Sequence, residues 1–311
     1  MAAAERGMPG DAPEVRLDLL ERRRVRRAGL ILHESGHSMA LDADRGEFVF
    51  LPALRPGLGL LSLSHDGRSV LLREHDASTS KTLCVMTLAE GEEQWFSAPR
   101  HEDYQHAVLS PDGTVIAVIA TDDGVDTDVV FVSLIDVRTG EHRRIWQGEG
   151  AAPLSDVGVC WSPDGRLIAA SYLYWDEELD DDDQFATVVI DRSGKALASR
   201  KRSYALNASN AAWAGDRELL CLDEFDDASN PRYVTIDAAT GDVRFSEPYA
   251  GILEGVVAGR RIHRVAEYEA PSAQVSEYYT TDMDGQDRRP LFTLSPRLQP
   301  RLHIAPELFI L

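Results

Sequence analysis

A five-residue turn that returns at regular spacing constrains this chain more than any other feature. It reads Leu109-Ser110-Pro111-Asp112-Gly113, returns as Trp161-Ser162-Pro163-Asp164-Gly165, and returns with one change as Leu63-Ser64-His65-Asp66-Gly67. Proline presets φ, aspartate hydrogen-bonds its own turn, and glycine supplies a positive φ, so the chain reverses tightly between two strands. The copies lie 46 and 52 residues apart, close to the period of about 40–50 residues of propeller blades. The repeat therefore predicts an all-β propeller.

Four strands fit into each repeat. The third unit shows the pattern clearly. Its predicted strands are Ala107–Ser110, Val115–Ala120, Val129–Val137 and His142–Gln147, and a Thr139-Gly140 turn precedes the last of them. Such runs, bounded by turn residues, are typical of the antiparallel strands of a blade. A fifth unit is degenerate, because Ala212–Asp216 replaces the repeated turn.

The two ends of the chain complete each other. From Ala28 the sequence predicts a unit that lacks its first strand, and Leu302–Glu307 reads as a lone first strand. Pairing the two closes the ring and leaves no sheet edge open between the first and last blades. We therefore expect six four-stranded antiparallel blades whose ring closes through a blade shared by both termini. A seventh blade would follow if Arg16–Arg27 supplied further strands.

Composition indicates the domain boundaries and the cellular location. Residues 1–14 are rich in Ala, Gly, Pro and acids and are expected to be disordered, which leaves residues 15–311 as one propeller domain. No apolar run approaches the roughly 20 residues of a membrane helix, and no secretory signal pattern is visible. Three widely spaced cysteines without CxxC spacing predict reduced core residues and a cytoplasmic location.

The repeated turn, the Thr-Gly or Ser-Gly outer turns and the blade spacing resemble the WD40-like repeats of the TolB C-terminal propeller. They also resemble the propeller domains of prolyl oligopeptidases. The resemblance covers roughly residues 28–311 and is clearest in 57–200. It implies the architecture and leaves the chemistry open, since this repeat occurs in scaffolds, lyases and peptidase gating domains.

Connection lengths identify the face that is free to bind. The Pro-Asp-Gly and Thr-Gly turns are both tight, and alternate connections of an up-and-down sheet lie at opposite ends, so both turns share one face. The longer, variable loops share the other face, where binding residues usually collect. Nine residues after the turn glycine, where the second strand ends, stand Asp76 and Asp122 in the second and third blades, and Tyr174 in the fourth. Aligning Arg217 and Arg260 with that glycine gives Asp226 and Glu269 in the fifth and sixth blades.

The fourth blade carries the strongest candidate contact. Trp175 is followed by seven acids within eight residues: Asp176, Glu177, Glu178, Asp180, Asp181, Asp182 and Asp183. Closely spaced like charges repel and keep such a run extended unless cations relieve it. A solvated loop and a docking loop for a basic partner both fit. A metal site is not expected, because the run lacks the Gly and terminal Glu of an EF-hand loop.

Catalytic patterns are sparse. His101 and His106 precede or enter the first strand of the third blade and, with His75, are candidate imidazole ligands or general bases of an enzyme centred on the channel. The sequence contains no Gly-x-Ser-x-Gly elbow, P-loop or GxGxxG motif. No cofactor is expected.

Net charge decides between classes of partner. The chain carries 52 acids against 32 Lys and Arg, a net charge of −20. This balance opposes binding to nucleic acid or to an anionic membrane, since both use clustered cations. The leading hypothesis is a monomeric, non-enzymatic scaffold that binds a basic protein, peptide or cationic ligand on its acidic loop face. The alternative is a metal-assisted lyase or hydrolase that uses the channel histidines.

Overall fold

The protein is described from a computed structural model, which covers residues 12–34, 37–51, 57–74, 81–122, 129–149, 158–174, 184–201, 203–205, 212–223, 232–245, 252–265, 275–295 and 301–308. Within these ranges the regular structure is β-sheet, apart from one 3-10 turn at Leu17–Leu19. No helix in the described part of the chain is long and apolar enough to cross a membrane.

The strands form six antiparallel four-stranded sheets, the blades of a six-bladed propeller. From the innermost strand outwards, blade 1 contains β25 (Arg301–Ile304), β2 (Ala28–Glu34), β3 (His37–Asp42) and β4 (Glu47–Phe50). Blade 2 contains β5 (Leu58–Leu63), β6 (Ser69–Glu74), β7 (Thr82–Thr87) and β8 (Glu93–Ser97). Blade 3 contains β9 (Glu102–Leu109), β10 (Val115–Asp122), β11 (Val129–Asp136) and β12 (His142–Glu149).

The other three blades follow in chain order. Blade 4 contains β13 (Val159–Trp161), β14 (Leu167–Tyr174), β15 (Gln184–Asp191) and β16 (Ala196–Lys201). Blade 5 contains β17 (Ser203–Ala205), β18 (Glu218–Asp223), β19 (Arg232–Asp237) and β20 (Val243–Phe245). Blade 6 contains β21 (Ile252–Val257), β22 (Arg260–Arg264), β23 (Ser276–Thr281) and β24 (Arg289–Ser295), with the short strand β1 (Glu14–Arg16) added outside it.

The repeated turn has the chemistry that its residues predict. In blade 3 the Ser110 hydroxyl donates to Asp112 at 2.6 Å, and Asp112 accepts from the Thr114 amide at 3.1 Å. Ser110 also accepts from the Val115 amide at 3.0 Å, which fixes the start of β10. Gly113 has a φ of 68°. The same bonds recur in blades 2 and 4, so one local motif starts the second strand of each of these blades.

The ring closes as the sequence predicts. β25 pairs antiparallel with β2, with Leu302 opposite Leu32 and Ile304 opposite Leu30. All four side chains are buried in one apolar cluster between blades 1 and 6. The closing strand therefore joins the two ends of the chain through backbone hydrogen bonds and through the core.

Two features differ from the sequence prediction. The innermost strand of blade 5 is described in two parts: Ala205 pairs with Cys221 and Trp213 pairs with Leu219, and residues 206–211 lie outside the described part of the chain. The sequence reading found only the second half, because the first half precedes it by several residues. The N-terminal segment does not build a seventh blade, since β1 pairs parallel with β24 as a fifth strand of blade 6.

The arginine-rich segment pairs with this protein's own acids. Arg23 contacts Asp42 at 3.0 Å, Arg27 contacts Asp44, and Arg24 donates to the Glu90 carbonyl. The cluster is thereby tied to blades 1 and 2. All three cysteines are free and buried, as expected of reduced core residues.

Candidate functional site

The turn chemistry divides the propeller into two faces. The hairpin turns between first and second strands and between third and fourth strands lie together, and we name this end the turn face. The opposite end, where the second strands β6, β10, β14, β18 and β22 finish, is named the loop face. In an antiparallel blade this assignment follows from strand direction alone. The repeated Ser-x-Asp-Gly turns and the Thr-Gly turns thus share the turn face, whereas blade 1 departs from the prediction that the loop face carries the long connections, since only two residues join β2 to β3 there.

Most of the predicted contact residues lie outside the described part of the chain. These are Trp175, Asp176, Glu177, Glu178, Asp180, Asp181, Asp182, Asp183, His75, Asp76, Asp226 and Glu269. Their anchoring strands are described: β14 ends at Tyr174, β15 begins at Gln184, and these two residues are paired. Asp122 is the last residue of β10, with its backbone paired to Glu102. The acidic segment is thus tethered to the loop face.

Glu102 is a structural anchor at the start of β9. Its carboxylate accepts from Arg144 at 2.7 Å, and His142 Nε2 lies 3.3 Å from the other oxygen. Lys81 donates to the Glu102 carbonyl at 3.1 Å and pairs with Asp103 at 2.8 Å. Burial would raise the pKa of Glu102, but the bonds from His142 and Arg144 outweigh it and hold that pKa below its usual value. The group ties blade 2 to blade 3.

The two described candidate histidines are not brought together. His101 is exposed at the loop face, whereas His106 is buried on β9 with an exposed fraction of 6%. Five residues of extended chain separate them, or roughly 16 Å along the strand, so one ion or substrate atom could not contact both imidazoles.

The position of His106 is explained by the neighbouring blade. Its ring lies against Gly158, where an added Cβ would be 2.5 Å from His106 Cγ. The imidazole therefore occupies the space that a side chain at residue 158 would need. This contact is packing between the innermost strands of blades 3 and 4.

Metal binding has no support in the described residues. Within those ranges, no group of three or more His, Cys, Asp or Glu side chains lies close enough to hold an ion.

Polar groups that the sequence reading missed lie on the innermost strands. Arg73 donates to the Gln105 carbonyl at 2.7 Å, and the Gln105 amide donates to Thr121 at 3.0 Å. In blade 6, Arg264 donates to the buried carboxylate of Glu254 at 2.7 Å. Burial raises the pKa of Glu254 despite the neighbouring guanidinium.

Gln105 and Glu254 both stand at β-bulges. The pairing register shifts between Tyr104 and His106 in blade 3 and between Leu253 and Gly255 in blade 6. A bulge re-aims a side chain and is frequent next to binding sites. In blade 6 the signal in the sequence was a single Glu inside the otherwise apolar strand β21. In blade 3 Gln105 lies among other polar residues of β9 and gave no such signal.

The aromatic residues before the acidic segment pack against the protein itself. Tyr172 lies 5.5 Å from Trp146 of blade 3, and Lys201 sits 4.7 Å above the Tyr174 ring. Tyr174 is buried and Tyr172 is half-buried. They hold the end of β14 in place, and Trp175 is left as the aromatic candidate for a partner contact.

Comparison with known proteins supports the fold and leaves the chemistry open. No family model and no curated protein sequence matches this chain. TolB from Acinetobacter baumannii has a similar structure, with a TM-score of 0.54 and 14% identity over 89% of this chain and 65% of that one. An acylaminoacyl peptidase gives a TM-score of 0.51 and 14% identity over 74% of this chain and 39% of that one.

A chain from a nidogen–laminin complex gives a TM-score of 0.51 and 13% identity over 88% of this chain and 95% of that one. This chain spans less than two thirds of the TolB structure and about two fifths of the peptidase. At these identities the neighbours establish a TolB-like six-bladed propeller and no activity.

Proposed function

We propose that this protein is a non-enzymatic binding scaffold whose loop face receives a basic protein, peptide or cationic ligand. One observation carries the proposal. β14 and β15 are paired up to Tyr174 and Gln184 at the loop face, and the connection between them holds Trp175 and seven acids. The connection between these two strands therefore brings seven carboxylates and one indole to the end of the propeller where the second strands finish.

Net charge supports the same class of partner. A chain with a charge of −20 attracts cationic surfaces over long range and repels nucleic acid and anionic membranes. Asp76, Asp122, Asp226 and Glu269 follow or end the second strands of four other blades and would extend the acidic surface. The proposal also includes WD40-like blades, a monomeric state and a cytoplasmic location, the last supported by three free, buried cysteines.

The similar structures are compatible with this role. One of them comes from a complex of two proteins, nidogen and laminin. No observation on the described residues supports the enzyme alternative, because His101 and His106 lie apart and His106 is packed against Gly158.

The test compares two variants with equal change of charge on opposite faces. In the first, Asp180, Asp181, Asp182 and Asp183 become Asn. In the second, four exposed acids of the turn face are neutralised: Glu90→Gln, Glu92→Gln, Glu141→Gln and Asp242→Asn. A labelled decalysine peptide serves as the probe, and its dissociation constant is measured by fluorescence anisotropy at several salt concentrations.

We expect the loop-face variant to bind at least tenfold more weakly and to show a smaller salt dependence, because clustered charges dominate the attraction. The turn-face variant should bind within about twofold of the unmodified protein, since its acids are dispersed. Equal weakening of both variants would show that overall charge alone attracts the peptide and would refute a loop-face site.

A further inference from the structure

The segment before the first blade behaves as a bound peptide. β1 is an added fifth strand of blade 6, in which Glu14, Val15 and Arg16 pair parallel with Thr293, Leu294 and Ser295 at the outer edge of the blade. The Thr293 amide donates to the Pro13 carbonyl at 3.0 Å, which extends the pairing by one residue. An exposed strand edge offers unpaired amide and carbonyl groups to such a segment.

Side chains of the segment define what this edge accepts. Val15 is 5% exposed and packs in the same apolar cluster as Tyr278 and Phe292. Leu17 and Leu20 are half-buried against that cluster, whereas Leu19 is 66% exposed. If Val15 is position i, the apolar side chains that turn inwards are therefore at i (Val15), i+2 (Leu17) and i+5 (Leu20).

The segment does not fill the space beside it. A cavity of about 570 Å³ lies between residues 13–20, the outer part of blade 6 and blade 1. Its apolar wall includes Leu20, Leu30, Leu41, Phe48, Leu291 and Phe292. A volume of this size with mostly apolar lining is typical of a binding pocket. A peptide with larger side chains at these positions would bury more apolar surface than the protein's own segment does.

We propose that the edge of β24 and this cavity form a strand-addition site for an extended segment of a partner protein. The segment is apolar at positions i, i+2 and i+5, and it replaces residues 14–20. A basic segment is favoured over an acidic one, because the protein carries a charge of −20. The cavity reaches the turn at residues 43–46, whereas the paired edge is the end of β24 that runs towards the loop face. The site lies at blades 1 and 6, and the proposed acidic contact lies at blade 4.

Exchange is feasible because the ring does not depend on β1. Three residue pairs hold β1 to β24, whereas the ring closes through the separate pairing of β25 with β2. The protein's own segment nevertheless competes as a tethered ligand, with an effective concentration in the millimolar range. Removing it should therefore raise the apparent affinity for an added peptide.

The experiment uses a labelled peptide of residues 12–20 and an acceptor protein that begins at Glu21. Circular dichroism and a thermal melt establish that the acceptor is folded, and the full-length Val15→Asp protein serves as a second acceptor. Anisotropy is measured for the unmodified peptide, for a Val15→Asp peptide and for an Asp18→Asn peptide, in which an exposed residue outside the cavity lining is changed.

We expect both acceptors to bind the unmodified peptide at least tenfold more tightly than the unmodified full-length protein does. The Val15→Asp peptide should lose at least tenfold in affinity, and the Asp18→Asn peptide should bind within about twofold. A folded acceptor that does not bind, or binding that is insensitive to Val15→Asp, would overturn the proposal. A full-length dimer that Val15→Asp dissociates would also overturn it, by assigning the edge to a second copy of the chain.

Discussion

His65 occupies the position that proline holds in the two matching turns, and its replacement gives the sharpest test of the repeat. Its side chain is 3% exposed, and its Nε2 has no hydrogen-bond partner among the described residues. Burial lowers the pKa of His65 from 6.5 to about 4, against the opposing charges of Asp66 and Asp112. The change to examine is His65→Pro, which restores the residue found at Pro111 and Pro163.

The magnitude follows from proton linkage. Between pH 6.5 and pH 4 the unfolded chain binds a proton at this histidine that the folded protein excludes, so the folded state loses stability as the pH falls. With pKa values of about 4 and 6.5 the loss is about 2 kcal/mol at pH 5 and near zero at pH 7. Removing the imidazole abolishes this loss.

Proline adds a second, pH-independent effect. The matching turns already accommodate proline, and no hydrogen bond from the His65 amide is present among the described residues. A proline whose ring fits the native backbone stabilises by about 0.4–1 kcal/mol, because it restricts the unfolded chain. A His65→Gln variant separates the two effects, since it removes the titration without adding the ring.

Equilibrium urea unfolding at pH 7 and pH 5 measures both quantities. We expect His65→Pro and His65→Gln to reduce the loss of stability between these pH values by about 2 kcal/mol relative to the unmodified protein. A similar loss of about 2 kcal/mol remains in all three proteins from His263, whose pKa is also lowered to about 4 by burial and by the charges of Arg261 and Arg288. If all three proteins lose the same stability between pH 7 and pH 5, the assignment of a buried neutral His65 is refuted.

Two further predictions concern contacts between blades. Gly67→Ala should destabilise the protein by about 1–3 kcal/mol more than Gly113→Ala in urea unfolding, although both glycines have a φ near 70°. An added Cβ at residue 67 would lie 2.6 Å from Leu308 and closer still to the Ala28 carbonyl, whereas at residue 113 nothing lies within 4 Å; equal effects would exclude the clash. The change Glu102→Gln should lower the free energy of unfolding by about 1–2 kcal/mol at pH 7. Because the pKa of Glu102 is depressed, the difference should shrink as the pH falls from the ordinary glutamate range through the lowered pKa of the folded protein, and a constant difference would exclude a charged contact.

The fold could be predicted because its information is local and repeated. Each Ser-x-Asp-Gly turn contains its own hydrogen bonds, as at Ser110 and Asp112, so the turn reports a strand reversal without any knowledge of distant residues. The outer turns are equally local: Asp136 and Asp191 accept from amides two or three residues later. The pairing of Ala205 with Cys221 in the inner part of blade 5 was not predicted, because the pairing is non-local and no turn motif marks it.

The candidate site could be predicted only in part, for the same physical reason. Strand direction places the ends of β10 and β14 at the loop face, and this required no side-chain contacts. The link from Glu102 to Arg144 crosses 42 residues of sequence and has no periodic signal. His101 and His106 looked like neighbours in sequence, but an extended strand carries them apart.

Contacts at the turn face stabilise the blades, so residues at the loop face can be changed without changing the fold. At the turn face, buried serines and capping aspartates fix where the second strands of blades 2, 3 and 4 begin. In blade 4 the pairing then continues without a register shift from Leu167 to Tyr174. The hairpin of β14 and β15 is therefore held by contacts that lie before the acidic segment is reached. Neutralising Asp180–Asp183 should leave the free energy of unfolding unchanged or higher, since it relieves repulsion among like charges. A loss of binding in that variant would then report the removed charges and not a change of fold.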